Sequence, residues 1–423
     1  MKRIKTWAGV VAAALLTALV AGTPLAGPAA ARAARPQDQI TLHMWAWADR
    51  NLCAQDFSKA NPTIKVLYTE QLNPIPKLNV LKRAGNSNLP DVVFDNIEYA
   101  ANYAQLGFVS DLSAVVPAAV KAKYAPGTLS PLTINGKLVG VPHDMAALGI
   151  WYNVNTLKAS GLSIPHSFEQ VFADAATLGK TKKYAISGIG TLAFALESLA
   201  WGAHANWFTA NSDGSYTVNI DNAITEKLAT SYVAAIRSGG LLPDDPFSPV
   251  SGKAYAQHKV AYAMAPNWLG HYGIEPGYPK QKGEWSFQAS LPSVGWWGGG
   301  AFYALPQSQN LAAAQKLAVY CSTSPTFQAQ AATVPSYTGV YNVAGAFQKD
   351  PFFADSAGTA AQLRLSAQHT GTGWAFSPNQ SYVDTQVAAA TAAMVNGADV
   401  HTQLAKLQQQ VISNLKLQGV SVR

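Results

Sequence analysis

Charged residues are scarce in this chain, since only 13% of its 423 residues are Asp, Glu, Lys or Arg. Lysine and arginine form no cluster of the kind that neutralises phosphates, which argues against nucleic-acid binding. Cysteine occurs only at Cys53 and Cys321, without a CxxC pair or a histidine-rich tract. We therefore expect no bound metal and no other cofactor. Beyond an N-terminal stretch, no apolar run is long enough to span a membrane.

The motifs of common hydrolases and nucleotide-binding enzymes are also missing, because the chain contains no GxSxG, HExxH or P-loop. A GxGxxA pattern does occur at residues 188–193, after a predicted strand. A dinucleotide site also needs an acidic residue at the end of the next strand, but here that interval ends in a predicted hairpin turn at 211–213. We interpret residues 188–193 as a tight strand-to-helix turn, and we expect a protein that is not an enzyme.

The N-terminal segment has the three parts of a secretory signal. A basic n-region at residues 2–5 precedes an apolar segment at 7–20, and the Ala-Arg-Ala at 31–33 matches a cleavage site. The segment carries four of the thirty basic residues and no acidic residue, so its removal lowers the formal charge from +7 to +3. We predict a signal peptide over 1–33 and a protein secreted to the periplasm or the extracellular space, without a lipid-attachment cysteine.

Aromatic and uncharged polar residues are plentiful where charges are few, with eleven Trp and seventeen Tyr. Indole rings can cover the apolar C–H face of a pyranose, while carboxylates and amides bond to its hydroxyl groups. Most of these aromatic residues are expected to fill hydrophobic cores. The composition nevertheless favours a neutral polyhydroxylated ligand over a charged one.

Predicted strands and helices alternate along the first part of the mature chain. The strands are predicted at 40–47, 63–68 and 89–96, separated by helices. This alternation predicts βαβ units and a mainly parallel sheet, whose ligands lie beyond the carboxyl ends of the strands. Trp45, Trp47, Asp95 and Asn96 occupy that edge.

Residues 137–158 resemble the signature region of the family 1 extracellular solute-binding proteins, the maltose-binding-protein-like receptors of ABC importers. A short strand, a Pro-His-Asp break and a second apolar strand lead to a helix that Asn153 or Asn155 can cap. The positions that match the family pattern are Pro142, Asp144, Gly149, Ile150, Tyr152, Asn153 and Leu157. His143 and Trp151 depart from it. Residues 57–66, 259–268 and 310–330 resemble further segments of the family.

The resemblance implies a two-lobed periplasmic-binding-protein fold of type II, with mainly parallel sheets flanked by helices and three interlobe crossings. The expected ranges are 35–144 and 302–345 for lobe 1, 149–297 and 350–423 for lobe 2, and 144–149, 298–302 and 336–350 for the hinge crossings. The resemblance also places Cys53 and Cys321 on helices of lobe 1. Two interpretations of these cysteines stay open, a disulfide and two separate buried thiols.

The resemblance further implies a monomeric substrate-binding protein that captures a sugar or oligosaccharide between its lobes and delivers it to the permease of an ABC importer. The candidate ligand-binding residues are Trp45, Trp47, Asp95, Asn96, Asp144, Asn267, Trp268, Trp296, Trp297, Tyr337 and Trp374. Trp268 is the strongest, because the strand pattern and the family segment both place it at the cleft. Alternation predicts that only one of Trp296 and Trp297 faces the ligand.

Two alternative functions remain open. A secreted glycoside hydrolase would use Asp95 and Asp144 as a carboxylate pair, held roughly 5–9.5 Å apart across the scissile bond. A related receptor would take a non-sugar solute, such as a polyol or a metal chelate.

Overall fold

Two five-stranded sheets form the framework of the protein. The computed structural model describes residues 39–47, 50–85, 88–188, 192–243, 246–329, 333–342 and 350–423. The predicted signal peptide over 1–33 lies outside these residues. The strands are β1 Ile40–Ala46, β2 Ile64–Glu70, β3 Val92–Asn96, β4 Thr133–Ile134, β5 Lys137–Leu138, β6 Val141–Pro142, β7 Leu148–Asn153, β8 Ala185–Ser187, β9 Phe208–Ala210, β10 Tyr216–Val218, β11 Leu241–Leu242, β12 Val260–Pro266, β13 Trp285–Gln288 and β14 Gly300–Ala304.

The first sheet has the strand order β2-β1-β3-β14-β6, and the second has the order β11-β8-β12-β7-β13. In each sheet four strands run in one direction, because β14 is antiparallel to β3 and β6, and β7 is antiparallel to β12 and β13. Both reversed strands begin where the chain arrives from the other sheet. A chain that leaves one sheet at its carboxyl edge and enters the next from that side must run against the other strands. The predicted two-lobed, mainly parallel architecture is confirmed.

Helices cover the sheets and complete the two lobes. The α-helices of the described residues are α1 Asn51–Ala60, α2 Pro74–Arg83, α3 Ala100–Gln105, α4 Ala118–Lys121, α5 Val154–Ser160, α6 Phe168–Thr181, α7 Leu192–Gly202, α8 Ala223–Ser238, α9 Pro249–Ala256, α10 Glu275–Gly277, α11 Leu311–Thr323, α12 Pro325–Gln328, α13 Ser356–Ser366, α14 Gln380–Val395 and α15 Val400–Leu417. Helices α1 and α11 pack on the first sheet, whereas α5 and α13 pack on the second.

Side-chain oxygens cap several helices, among them α5, for which the sequence predicts Asn153 or Asn155, and α6. The side-chain oxygen of Asn153 accepts hydrogen bonds from the backbone N–H groups of Asn155 and Thr156 at 3.1 and 3.0 Å, and this starts α5. Ser167 accepts from the N–H of Gln170 at 3.2 Å and starts α6. Each bond satisfies a backbone donor that the first helical turn leaves without a partner.

A disulfide joins Cys53 on α1 to Cys321 on α11, with a Cα–Cα distance of 5.5 Å. Both helices pack on the first sheet, so the bond lies within one lobe. The alternative of two separate thiols is therefore wrong. The cysteines are fully buried.

The chain passes between the sheets from β6 to β7 and again from β13 to β14. A third passage would connect α12, on the first lobe, to α13 on the second. Residues 343–349 of that segment lie outside the described residues, as does part of the Gly-rich turn at 188–193. Three crossings and the detailed lobe boundaries therefore stay predictions.

Candidate functional site

A cavity of about 530 Å³ lies between the two sheets at their carboxyl edges. Both lobes and the passages between them contribute to its wall. The lining residues are Trp47, Arg50, Leu72, Asn96, Glu98, Asp144, Phe194, Trp268, Tyr272, Trp297, Gly298, Gly299 and Thr333.

The order of the strands explains why these residues meet. Trp47 directly follows β1, Leu72 follows β2, and Asn96 is the last residue of β3. From the second sheet, Trp268 lies two residues beyond the end of β12, and Phe194 lies in the first turn of the helix after β8. Carboxyl ends of parallel strands share one edge of a sheet, which is the usual position of a ligand site in such folds.

Aromatic and cationic groups form the wall on the first lobe. The ring of Trp47 meets Phe94 edge to face, with 4.9 Å between ring centroids. The guanidinium of Arg50 lies 4.5 Å from the centroid of Phe94. The Trp47 Nε1–H is buried and has no hydrogen-bond partner within the described part of the chain. It is therefore a buried donor without a partner on a residue of the cavity wall.

Two indoles form the wall on the second lobe. The Nε1–H of Trp268 donates a hydrogen bond of 3.0 Å to the carbonyl oxygen of Trp297, and the two rings are 5.2 Å apart. Phe247 stacks parallel to Trp268 at 6.1 Å. These contacts hold the half-buried indole of Trp268 in one orientation.

Glycines allow the second passage to run along the cavity. Gly298 and Gly299 have φ values of +80° and +91°, a region that L side chains rarely adopt. Both glycines line the cavity, so at these two positions no side chain separates the backbone from it.

Five of the predicted residues line the cavity: Trp47, Asn96, Asp144, Trp268 and Trp297. Trp297 is the member of the tryptophan pair that faces it. The side chain of Trp296 points the other way, donates to Thr370 Oγ1 at 3.2 Å and stacks on Trp201.

Three predicted residues near the sheet edges lie behind the cavity wall. Trp45 is inside β1, hydrogen-bonded between neighbouring strands, and its ring packs under the Lys77 ammonium group at 4.3 Å. The Asp95 carboxylate accepts a hydrogen bond from Tyr103 at 2.8 Å. Asn267 donates to Ser366 at 3.2 Å.

Tyr337 and Trp374, the two remaining predicted residues, do not line the main cavity either. Tyr337 packs against Tyr124 with 5.3 Å between ring centroids. Trp374 is buried and stacks on Trp201 with 5.4 Å between centroids and 5° between ring planes. It belongs to an aromatic cluster behind the wall.

Sequence reasoning missed several lining residues, of which Glu98 is chemically the most distinctive. It follows β3 by two residues, so the strand-end rule that selects Asn96 could also have selected it. Glu98 is 3% exposed, and its Oε1 has no hydrogen-bond partner among the described residues. Burial raises the pKa of Glu98 well above its ordinary value, and the charges of Asp384 and Asp95 add to the increase.

The carboxylate pair of the hydrolase alternative does not meet at this cavity. Asp144 lines it, but Asp95 does not. Burial raises the pKa of Asp95 to about 7, partly offset by the hydrogen bonds from Tyr103 and the Asn96 N–H. The Asp95 carboxylate is thus enclosed within the first lobe.

Outside the cavity, one group of described residues has donor atoms suited to a metal ion. His271, Glu275 and Asp350 each offer one ligand atom, all within 4.8 Å of one another. The Nδ1 of His271 lies 3.3 Å from Glu275 Oε2 and 3.2 Å from Asp350 Oδ2. Of these three, none lines the cavity.

None of the helices in the described ranges combines the length and the apolar character needed to cross a membrane.

The fold and the cavity define a two-lobed binding protein with a site enclosed by both lobes. The family model for bacterial extracellular solute-binding proteins matches residues 49–326, which is more than half of the chain. The protein belongs to this family. An uncharacterised ABC transporter extracellular-binding protein of Pyrococcus horikoshii is 26% identical over 175 residues. That match covers 40% of each protein, so the chain spans less than half the length of this relative.

Solved structures share the fold over nearly the whole chain. The galacto-N-biose/lacto-N-biose I-binding protein of an ABC transporter from Bifidobacterium longum, in complex with lacto-N-biose, has a TM-score of 0.76 at 19% identity, covering 92% of this chain and 100% of its own. The sugar-binding protein MalE of Xanthomonas citri has a TM-score of 0.74 at 18% identity, covering 89% and 98%. At such identities the likeness concerns the fold alone.

Proposed function

We propose that this protein captures a sugar or oligosaccharide in the cavity between its lobes and delivers it to the membrane permease of an ABC importer. The observation that carries the proposal is the presence of indole rings on both walls, Trp47 from the first lobe and Trp268 with Trp297 from the second. Each ring can cover one apolar face of a pyranose. Rings on both walls can therefore cover both faces, which rings on a single wall could not do.

The division of the site between lobes supports a binding cycle with hinge closure. A ligand shifts a conformational equilibrium only by as much as it binds one state better than the other. A sugar that touches Trp47 and Trp268 together gains both contacts only when the lobes are closed. The closed state is then favoured by the ligand, and it presents one defined surface to a permease.

Polar groups at the cavity match the hydroxyl rim of a sugar. Asn96 offers an amide and Asp144 a carboxylate, while the Nε1–H of Trp47 is an additional donor. We propose Trp47, Asn96, Asp144, Trp268 and Trp297 as ligand contacts. The remaining predicted residues would act behind them, as Trp296 does by packing on Trp201.

The comparisons support the choice of a carbohydrate. The Bifidobacterium longum protein binds lacto-N-biose, and a binding protein from Bifidobacterium animalis subsp. lactis, solved with β-1,6-galactobiose, has a TM-score of 0.72 at 18% identity and covers 90% of this chain and 99% of its own. We further propose secretion through the signal peptide over 1–33, a monomeric state, and no catalysis.

Two experiments test the proposal. Mass spectrometry first identifies any solute that copurifies with the protein, and isothermal titration calorimetry on the mature protein then measures binding. We expect binding of at least one member of a panel of neutral mono- and oligosaccharides. Release of new reducing ends during the titration would instead support the hydrolase. A thermal shift with polyols or metal chelates, and none with saccharides, would support the non-sugar receptor.

A further inference from the structure

A second, much smaller cavity lies beside the main one and shares Glu98, Phe194 and Gly298 with its lining. Its volume is about 10 Å³, which is room for a single group the size of a water molecule. A ligand in the main cavity could therefore project one small substituent into it, and the chemistry of the wall indicates which one.

Carboxylates dominate the polar part of that wall. Glu98 and Glu197 both line the small cavity and are 3% and 5% exposed. The Nε2 of Gln380 donates to Glu197 at 2.7 Å and to Asp384 at 2.8 Å, so two carboxylates share one amide nitrogen. Glu98 Oε1 has no hydrogen-bond partner among the residues that the structure describes. One acceptor is thus left for a ligand.

Within the described ranges, the charged groups that act on Glu98 are themselves acidic. The groups that act on Glu98 electrostatically are Asp384 and Asp95, and Glu98 in turn acts on Glu197. Arg50 lines the main cavity but not the small one. Ionised carboxylates at such depth are costly unless a cation accompanies them. A cationic group of the ligand would supply that charge.

Aromatic rings complete the wall. Trp201 stacks on Trp296 at 5.5 Å and on Trp374 at 5.4 Å, and Phe376 meets it edge to face at 5.6 Å. All four line the small cavity. Indole rings attract cations through their quadrupole, most strongly where water is excluded. Carboxylates together with aromatic rings are the surroundings that favour an ammonium group.

We propose that the small cavity receives a protonated amine, and that the preferred ligand is an amino sugar or an oligosaccharide that contains one. This inference rests on the proposed function and names the class of sugar. An ammonium group has the size of the water molecule that the space admits, and its three N–H groups can donate to Glu98 and Glu197. A hydroxyl in its place would satisfy the acceptor but would not offset the cost of ionising a buried carboxyl.

Calorimetry with matched ligands tests the inference on the wild-type mature protein. The probes are D-glucosamine, D-glucose and N-acetyl-D-glucosamine, the same series of galactose, and the β-1,4-linked disaccharides of glucosamine, glucose and N-acetylglucosamine. We expect the amine of a series to bind about 10- to 100-fold more tightly than its hydroxyl and acetamido counterparts, because charge-assisted hydrogen bonds and cation–π contacts are lost in both. The comparison needs no variant and therefore does not depend on the folding of one.

Glu98→Gln identifies the acceptor. It should weaken binding of the amine by about 10-fold or more, and by at least about 3-fold more than it weakens binding of the neutral counterpart, because only the charge is removed. Glu169→Gln, at an exposed glutamate paired with Lys227, is the control and should change neither. If a neutral sugar binds as well as its amine, the inference is wrong and the proposed function stands. If no saccharide of either kind binds, the proposed function fails and the inference with it.

Discussion

The carboxylate of Asp144 accepts a hydrogen bond of 2.8 Å from the backbone N–H of Gly300, and this bond joins the two described passages between the sheets. Asp144 follows β6 on the way into the second lobe, and Gly300 begins β14 on the way back. A Cβ atom at Gly300 would lie 2.1 Å from Cζ of Phe94, so only glycine fits there. Because Asp144 also lines the cavity, one buried side chain connects the cavity to the two described passages between the sheets.

Asp144→Ala should lower the free energy of unfolding by about 1–3 kcal/mol, because the buried N–H of Gly300 loses its acceptor. Asp144→Asn keeps an oxygen that can accept this bond and should cost less. Urea unfolding followed by circular dichroism measures both variants. Equal stability of the two would show that the bond to Gly300 contributes little.

Trp268→Ala should weaken sugar binding by about 30-fold or more, as expected when a well-packed aromatic residue at the centre of a site is truncated. Trp268→Phe retains a ring but loses the Nε1–H that donates to Trp297, so an intermediate affinity is expected. Calorimetry gives the affinities, and an unchanged far-ultraviolet spectrum shows that the fold is intact. Wild-type affinity in Trp268→Ala would contradict the proposed contact.

Trp47→Phe tests the indole donor of Trp47, and Trp45→Phe is its matched control. The two substitutions make the same chemical change at positions two residues apart. Trp47 lines the cavity and has an unpartnered Nε1–H, whereas Trp45 packs under Lys77. We expect an affinity loss of about 5- to 10-fold for Trp47→Phe, the value of one hydrogen bond, and no loss for Trp45→Phe. The opposite ranking in calorimetry would place the ligand elsewhere.

Removal of the disulfide by the double substitution Cys53→Ser and Cys321→Ser should destabilise the protein by about 2–5 kcal/mol, since the bond closes a very long loop of the unfolded chain. The bond spans 268 positions. Urea unfolding of the variant and of the reduced wild type should give similar midpoints, both below that of the oxidised protein. Sugar affinity at low urea should be unchanged, because neither cysteine lines the cavity.

The enclosed carboxyl of Asp95 makes stability depend on pH in a defined direction. Burial raises its pKa from 3.8 to about 7, so the folded state binds a proton more readily than the unfolded state between these values. Its contribution to stability is therefore complete below about pH 4 and is lost as the pH rises through 7. Asp95→Asn cannot ionise, and it keeps an oxygen for the Tyr103 hydroxyl.

The test of Asp95 is urea unfolding of the wild type and Asp95→Asn at pH 5 and pH 8. The stability of the wild type relative to the variant should fall between the two values. The pKa of Asp384 is also raised by burial, to about 6, but Asp384 is present in both proteins and cancels in the difference. A difference that does not change with pH would show that Asp95 keeps an ordinary pKa.

The fold could be predicted far better than the residues of the site. The alternation of strands and helices, the cap of the helix after residue 153 and the signature around Asp144 are local features of the sequence, so they could be identified without the structure. The strand-end rule selected the edge of the sheet at which the cavity lies, but it could not say which of two adjacent side chains faces the cavity. Asp95 and Asn96 show this, because the side chains of consecutive strand residues point to opposite faces.

Local pattern along the chain was sufficient to predict βαβ units and the positions of their strand ends, and the family resemblance implied two lobes with a ligand cavity between them. Packing between distant segments settled the rest. It paired Cys53 with Cys321, turned Trp297 rather than Trp296 to the cavity, and brought Glu98 beside Glu197. These outcomes depend on contacts between residues far apart in the chain, whose distances and burial a linear pattern does not contain.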